Sequence, residues 1–196
     1  MALRARARQL LAHYFEKPSA RLLHAARLTP DTVTLLGLAL TGVAAYLAAQ
    51  GQFLIAGLVF LAASALDMLD GSLARLTNQV TRFGAALDSV ADRLGEALIL
   101  LGILWFYVRT DKDAGVILAF GALVASYMVS YLRARGEGLG IAMKETGLGT
   151  RTERVVIMAA GMLTGLVIAA MALVLALSAF TAGQRLYHLW RQGNEK

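Results

Sequence analysis

Asp67, Asp70, Asp88 and Asp92 stand in sequence that is otherwise apolar enough to cross a membrane. They occur in Asp67-Met-Leu-Asp-Gly-Ser-Leu-Ala-Arg75 and, eight residues later, in Gly84-Ala-Ala-Leu-Asp88-Ser-Val-Ala-Asp92. Ionisable groups are costly inside a bilayer and mark functional sites there by default. Four carboxylates at such spacing repel one another unless a cation holds them, and an all-oxygen donor set suits a hard divalent metal, Mg2+ or Mn2+. The metal's charge would keep the carboxylates ionised at neutral pH. Such a metal suits a pyrophosphate substrate, because it neutralises charge as a phosphoryl bond breaks. For these residues alone the competing explanation is structural: helix-end acids paired with Arg75, Arg82 and Arg93.

The spacing says what must position them. Asp67 and Asp70 are three residues apart and Asp88 and Asp92 four, so each pair shares one helical face. The short connection makes the two helices antiparallel neighbours, able to bring the pairs together at one end. Gly71, Ala74, Gly84 and Ala85 are small and permit close approach of a helix or a ligand to the backbone.

The chain's 196 residues are 58% hydrophobic and 16% charged, far more apolar than a soluble domain. The expected fold is all-α: a polytopic membrane protein with six transmembrane helices and an N-terminal interfacial amphipathic helix. Residues 1–28 form the juxtamembrane part. Arginines alternate there with Leu, Ala, His and Tyr at helical spacing, with a possible break at Pro18 and no continuous apolar stretch of the kind a cleavable signal needs. A disordered basic arm is the alternative for this stretch. Residues 29–196 form one membrane domain, entered through the turn Thr29-Pro30-Asp31. Its spans are expected at about 31–50, 53–76, 82–108 and 114–135, followed by a Gly-rich loop over 136–150. Residues 152–192 then hold two short spans with a turn near Gly165, since roughly 40 residues of unbroken helix would far exceed a bilayer. On this scheme Arg109 and Lys112 are the only basic residues on one face, so the positive-inside rule puts both termini and the motif loops in the cytoplasm.

The net charge of +6 lies beside apolar spans, which points to anionic lipid head groups and phosphorylated substrates rather than nucleic acid. Cysteine is absent, and His13, His24 and His188 are scattered, so a thiolate or histidine metal site is disfavoured. Met128, Met158 and Met162 are expected to be packing or lipid-facing residues. No internal repeat supports an inverted-repeat transporter.

Asp-x-x-Asp-Gly-x-x-Ala-Arg, eight residues, then Gly-x-x-x-Asp-x-x-x-Asp is a long ordered signature. It resembles, with no position missing, that of the CDP-alcohol phosphatidyltransferase family, and the six-span pattern extends the resemblance over most of the chain. The resemblance implies transfer of a phosphatidyl-type group from a CDP-linked lipid to an alcohol with release of CMP, using Mg2+ or Mn2+. It implies metal binding by Asp67, Asp70, Asp88 and Asp92, with Asp92 also the general base towards the acceptor hydroxyl. Gly71, Ala74, Arg75 and Gly84 match positions that contact the cytidine nucleotide. Pro30-Asp31-x-x-Thr34 resembles the family's first-span motif, which implies that these three residues also contact the CDP-lipid; the motif often has Asn where this chain has Asp31. The Asp keeps an acceptor but loses an amide donor. The family commonly forms homodimers, and a homodimer is expected here as well.

A basic cluster bears on the acceptor. Ser130, Arg133 and Arg135 close the fourth span, Arg154 opens the fifth and Arg185 lies late in the sixth. Such arginines are either a solvated cytoplasmic rim or an anion pocket, since Arg forks match phosphate oxygens. These segments resemble those of the family's phosphatidylinositol-phosphate synthases. That likeness implies CDP-diacylglycerol (or a CDP-linked ether lipid) as donor and inositol phosphate as acceptor, with these five residues around the acceptor phosphate. Two alternatives stand beside it: a phosphatidylglycerol phosphate synthase taking glycerol 3-phosphate, and a cation or proton carrier using the four Asp for permeation.

Overall fold

A computed structural model describes residues 17–143 and 147–194, which form seven α-helices and no strand. The helices are α1 Lys17–Ala25, α2 Pro30–Ala49, α3 Phe53–Thr77, α4 Arg82–Arg109, α5 Asp113–Gly138, α6 Arg151–Thr164 and α7 Val167–Asn194. Residues 1–16, most of the expected interfacial helix, lie outside the described residues. Pro18 does not break α1; it falls in the first turn, where a missing N–H costs nothing. α2 starts at Pro30 for the same reason, with the Thr29 hydroxyl accepting the Thr32 N–H at 3.3 Å as its cap.

The chain divides into two compact units. The first comprises residues 1–43 and 59–95. In it α1 docks through Ala20 onto Val33 of α2 and Leu73 of α3, with Leu23 and Leu28 packed alongside. The connection from α3 to α4 is closed tightly at both ends. Asn78 turns left-handed (φ 54°) while the Gln79 N–H reaches back to the Ala74 carbonyl at 2.9 Å, which ends α3. The Thr81 hydroxyl then accepts the Gly84 N–H at 2.9 Å, capping the start of α4.

The second unit comprises residues 44–58 and 96–196. Here α5 and α6 both pack on α7. Ile99, Leu100, Ile103, Met158, Met162, Met171 and Val174 are buried in it. Met158 and Met162 are thus packing residues, while Met128 is exposed. Gly102 permits a close crossing: a Cβ there would lie 2.2 Å from the Ala45 carbonyl oxygen.

Two expectations need correcting. α5 runs to Gly138 rather than stopping at Arg135, because Arg133 and Glu137 pair across its last turn at 2.9 Å and the Leu139 N–H closes on the Arg135 carbonyl at 3.1 Å. Beyond residue 150 the break does fall at Gly165, in the left-handed conformation that ends α6 (φ 75°). The two helices are not both short, however: α6 has 14 residues and α7 has 28. Four described helices are long and apolar enough to cross a membrane, namely Pro30–Ala49, Phe53–Thr77, Asp113–Gly138 and the Val167–Gly193 stretch of α7.

Candidate active site

Within the first unit, α3 and α4 bring Asp67, Asp70 and Asp88 together. One carboxylate oxygen from each lies within 4.8 Å of the other two. Asp92 follows Asp88 by one helical turn and is half-buried, but it is not in that group of three. Asp70 is the most deeply set, at 6% exposed, and its surroundings hold its orientation. Its Oδ2 accepts a 2.5 Å hydrogen bond from the Thr34 hydroxyl on α2, and its Oδ1 accepts the Gly71 N–H. Three oxygen donors at such separation fit a hard divalent cation, and a hydroxyl behind one of them is the kind of support that orients a metal ligand.

Pro30, Asp31, Thr34, Gly71, Ala74, Arg75 and Gly84 all line one cavity of about 310 Å3, together with Asp70 and Asp88. The seven residues expected to meet the donor nucleotide are therefore gathered beside the acid cluster. Gly84 is small for a reason visible here. A Cβ would sit 3.0 Å from the Thr81 hydroxyl and 3.2 Å from Asp31 Oδ1, and would project into the space between them. Arg75 is exposed, and its Nη2 donates to the Ser72 hydroxyl at 2.9 Å. Thr34 has a double position. It lines the cavity, yet its hydroxyl is committed to Asp70, with the Pro30 carbonyl 3.1 Å away as a second acceptor. Sequence reasoning passed over Gln79, Val80 and Thr81, which also line the cavity. They belong to the eight-residue connector, whose length the signature specifies and whose residues it leaves open.

The second unit holds the arginines. Arg154 of α6 is 2% exposed and Arg185 of α7 is 4% exposed, so neither belongs to a solvated rim. Arg154 donates from Nε and Nη2 to Glu96 Oε1 and Oε2 at 2.6 and 2.8 Å, and from Nη1 to the Gly149 carbonyl at 3.0 Å. Arg185 Nη1 donates to the Val129 carbonyl of α5 at 2.6 Å, beside half-buried Ser130. The charges of Arg133, Arg154 and Glu137 all act on Arg185, which puts the three guanidinium groups in one electrostatic neighbourhood. Arg135 is exposed at the end of α5. Glu96 escaped sequence reasoning, although an acid immediately before the uncharged apolar stretch 97–108 was a signal of the same kind as the aspartates.

Residues 27–183 match the CDP-alcohol phosphatidyltransferase family. The chain belongs to this family. An archaetidylinositol phosphate synthase of Pyrococcus horikoshii is 39% identical over 161 residues, which cover 82% of each chain. A crystal structure of the phosphatidylinositol phosphate synthase of Mycobacterium tuberculosis, in complex with manganese and citrate, superposes with a TM-score of 0.83 at 32% identity, covering 90% of this chain and 89% of that one. The same enzyme with CDP-DAG bound superposes with a TM-score of 0.81 at 32% identity, covering 90% and 94%. This phosphatidyltransferase is thus an enzyme, and the carrier alternative falls with the membership.

Proposed function

We propose that the protein transfers the phosphatidyl-type group of CDP-diacylglycerol, or of an ether-linked counterpart, to inositol phosphate, releasing CMP and giving phosphatidylinositol phosphate or its ether analogue. The observation that carries the donor half is the cavity in which all seven candidate nucleotide contacts meet Asp70 and Asp88. The relatives named as inositol phosphate lipid synthases, and the buried arginines suited to a phosphorylated acceptor, support the second half.

In this reading Pro30, Asp31, Thr34, Gly71, Ala74, Arg75 and Gly84 receive the CDP moiety. Asp67, Asp70, Asp88 and Asp92 hold Mg2+ or Mn2+, and Thr34 keeps Asp70 turned towards it. When bound, the metal supplies positive charge to the pyrophosphate oxygens. Asp92 takes the proton of the acceptor hydroxyl. That oxygen forms a new bond to the lipid-bearing phosphorus. The bond from this phosphorus to the bridging oxygen breaks, and CMP leaves with the electron pair. Arg133, Arg135, Arg154 and Arg185, with Ser130, hold the acceptor's own phosphate.

Residues 29–196 act as one membrane domain of six helices, α2 to α7, and residues 1–28 lie along the membrane surface among anionic lipids. α4 has 28 residues, with its charges concentrated in its first half, which suits a span whose charged end reaches the cytoplasmic face. Both termini and the site lie on that face, and two copies associate as a homodimer.

An acceptor panel tests the assignment. Purified protein with CDP-diacylglycerol and Mg2+ is expected to release CMP fastest with inositol phosphate and much more slowly with glycerol 3-phosphate or free inositol. Faster release with glycerol 3-phosphate makes it a phosphatidylglycerol phosphate synthase. Equal release with free inositol removes the phosphate pocket.

A further inference from the structure

Glu96 lies outside the aspartate signature, is 9% exposed, and is followed on α4 by twelve residues without a charge. An acid so placed is strongly destabilising unless it is matched by a partner. Arg154 matches it edge to edge, giving both carboxylate oxygens an N–H, at 2.6 and 2.8 Å. The same guanidinium is held from a second side by the Gly149 carbonyl at 3.0 Å. Gly149 is itself anchored: its N–H donates to the Thr181 hydroxyl at 2.9 Å, one turn before Arg185 on α7. A Cβ on Gly149 would lie 2.8 Å from that hydroxyl, so the backbone approach depends on glycine. Arg154 is thus fixed by α4, by the segment before α6 and, through that segment, by α7. A guanidinium has five N–H groups. These contacts use three of them. Glu96 also sets one negative charge directly against the positive charge of Arg154.

We infer that Glu96 is a positioning residue for the transfer reaction: it orients Arg154 so that its remaining N–H groups meet the phosphate of the acceptor, and it limits the positive charge of the pocket. The inference rests on the arginine cluster being the acceptor site, as in the proposed function. A buried ion pair that served only to join α4 to α6 would matter for folding and be indifferent to the acceptor. One that positions Arg154 must affect the acceptor and spare the donor.

The test is a double-mutant cycle on full-length protein in detergent or bilayer. Glu96→Gln keeps the side chain's shape and removes its charge. It is expected to raise the acceptor KM at least tenfold, about 1.4 kcal/mol, with the CDP-diacylglycerol KM within twofold of wild type. In an Arg154→Gln background the same change is expected to shift the acceptor KM by less than about twofold, because the group through which Glu96 acts is gone. Glu96→Asp keeps the charge but withdraws it by one methylene, and is expected to raise the acceptor KM by less than Gln does. If Glu96→Gln does not fold, the Asp variant carries the test: a selective rise in acceptor KM supports the inference and an unchanged value overturns it. An equal rise in both KM values, or an undiminished effect in the Arg154→Gln background, reduces Glu96 to a structural group. The wild-type assay with inositol phosphate and glycerol 3-phosphate comes first and separates the two readings. Whichever phosphorylated acceptor drives CMP release serves for the Glu96 cycle, so the choice of acceptor can fail while the role of Glu96 stands. Turnover with neither overturns both.

Discussion

Replacing Thr34 by Val isolates one hydrogen bond at the acid cluster. The two side chains are nearly the same size, so the 4%-exposed position on α2 stays filled, and what is lost is the 2.5 Å donation to Asp70 Oδ2. A hydrogen bond to a charged group contributes about 1.5–3 kcal/mol, and removing it leaves a buried carboxylate oxygen facing a methyl group. The second acceptor of the Thr34 hydroxyl, the Pro30 carbonyl, still has the backbone bonding of the first helical turn. The cost therefore falls on Asp70, which is left with the Gly71 N–H and with Asp67 and Asp88 close by. If Asp70 is a metal ligand, a carboxylate turned less firmly towards the ion binds it less tightly. At about 1.4 kcal/mol per tenfold, the concentration of Mg2+ or Mn2+ giving half-maximal CMP release should rise roughly ten- to a hundredfold. The rate at saturating metal should recover most of its wild-type value. Thr34→Ser, which restores the donor, should bring the metal requirement back. The assay is CMP release from CDP-diacylglycerol against metal concentration, with the acceptor saturating. An unchanged metal requirement in Thr34→Val, with a raised donor KM instead, would refute the reasoning and leave Thr34 as a nucleotide contact only.

Three further outcomes are expected. Excess EDTA should abolish CMP release and added Mg2+ or Mn2+ should restore it; full activity in the chelator would remove the metal from the scheme. Asp92→Asn keeps the size but loses the basicity, so transfer should cease while equilibrium binding of CDP-diacylglycerol largely survives, because the cavity residues are untouched. Near-normal turnover in that variant would rule out Asp92 as an essential base or ligand. Gly102→Ala places a Cβ 2.2 Å from the Ala45 carbonyl oxygen, an overlap with backbone that only helix displacement relieves, so thermal unfolding in detergent should show a loss of about 1–3 kcal/mol. An unaltered midpoint would mean that the close approach of Gly102 to Ala45 does not bear on stability.

The acid cluster was legible in the linear order of residues because it is built from short local spacings. Acids three and four apart fall on one face of a helix whatever surrounds it, and a short connector forces the two helices to meet. Long continuous apolar stretches likewise pointed to helices, since each such stretch satisfies its backbone polar groups within itself only as a helix. The division at Gly165 followed from helix length against bilayer thickness, although the unequal helices on either side of it did not. Other features depend on residues far apart in the chain. Thr34 meets Asp70 across 36 positions and Arg154 meets Glu96 across 58, and no periodicity encodes such pairings. The burial of Arg154 and Arg185, which separates them from exposed Arg135, is equally invisible in a list of basic residues, because burial is a property of the neighbours. The sequence by itself determined the helices, the faces that carry the acids and the family to which they point. Tertiary structure alone decided that three of the four acids share one group, that Thr34 supports a carboxylate, and that Arg154 is held by Glu96. Those outcomes turn on distances of a few ångströms between helices, which spacing along a single helix leaves open.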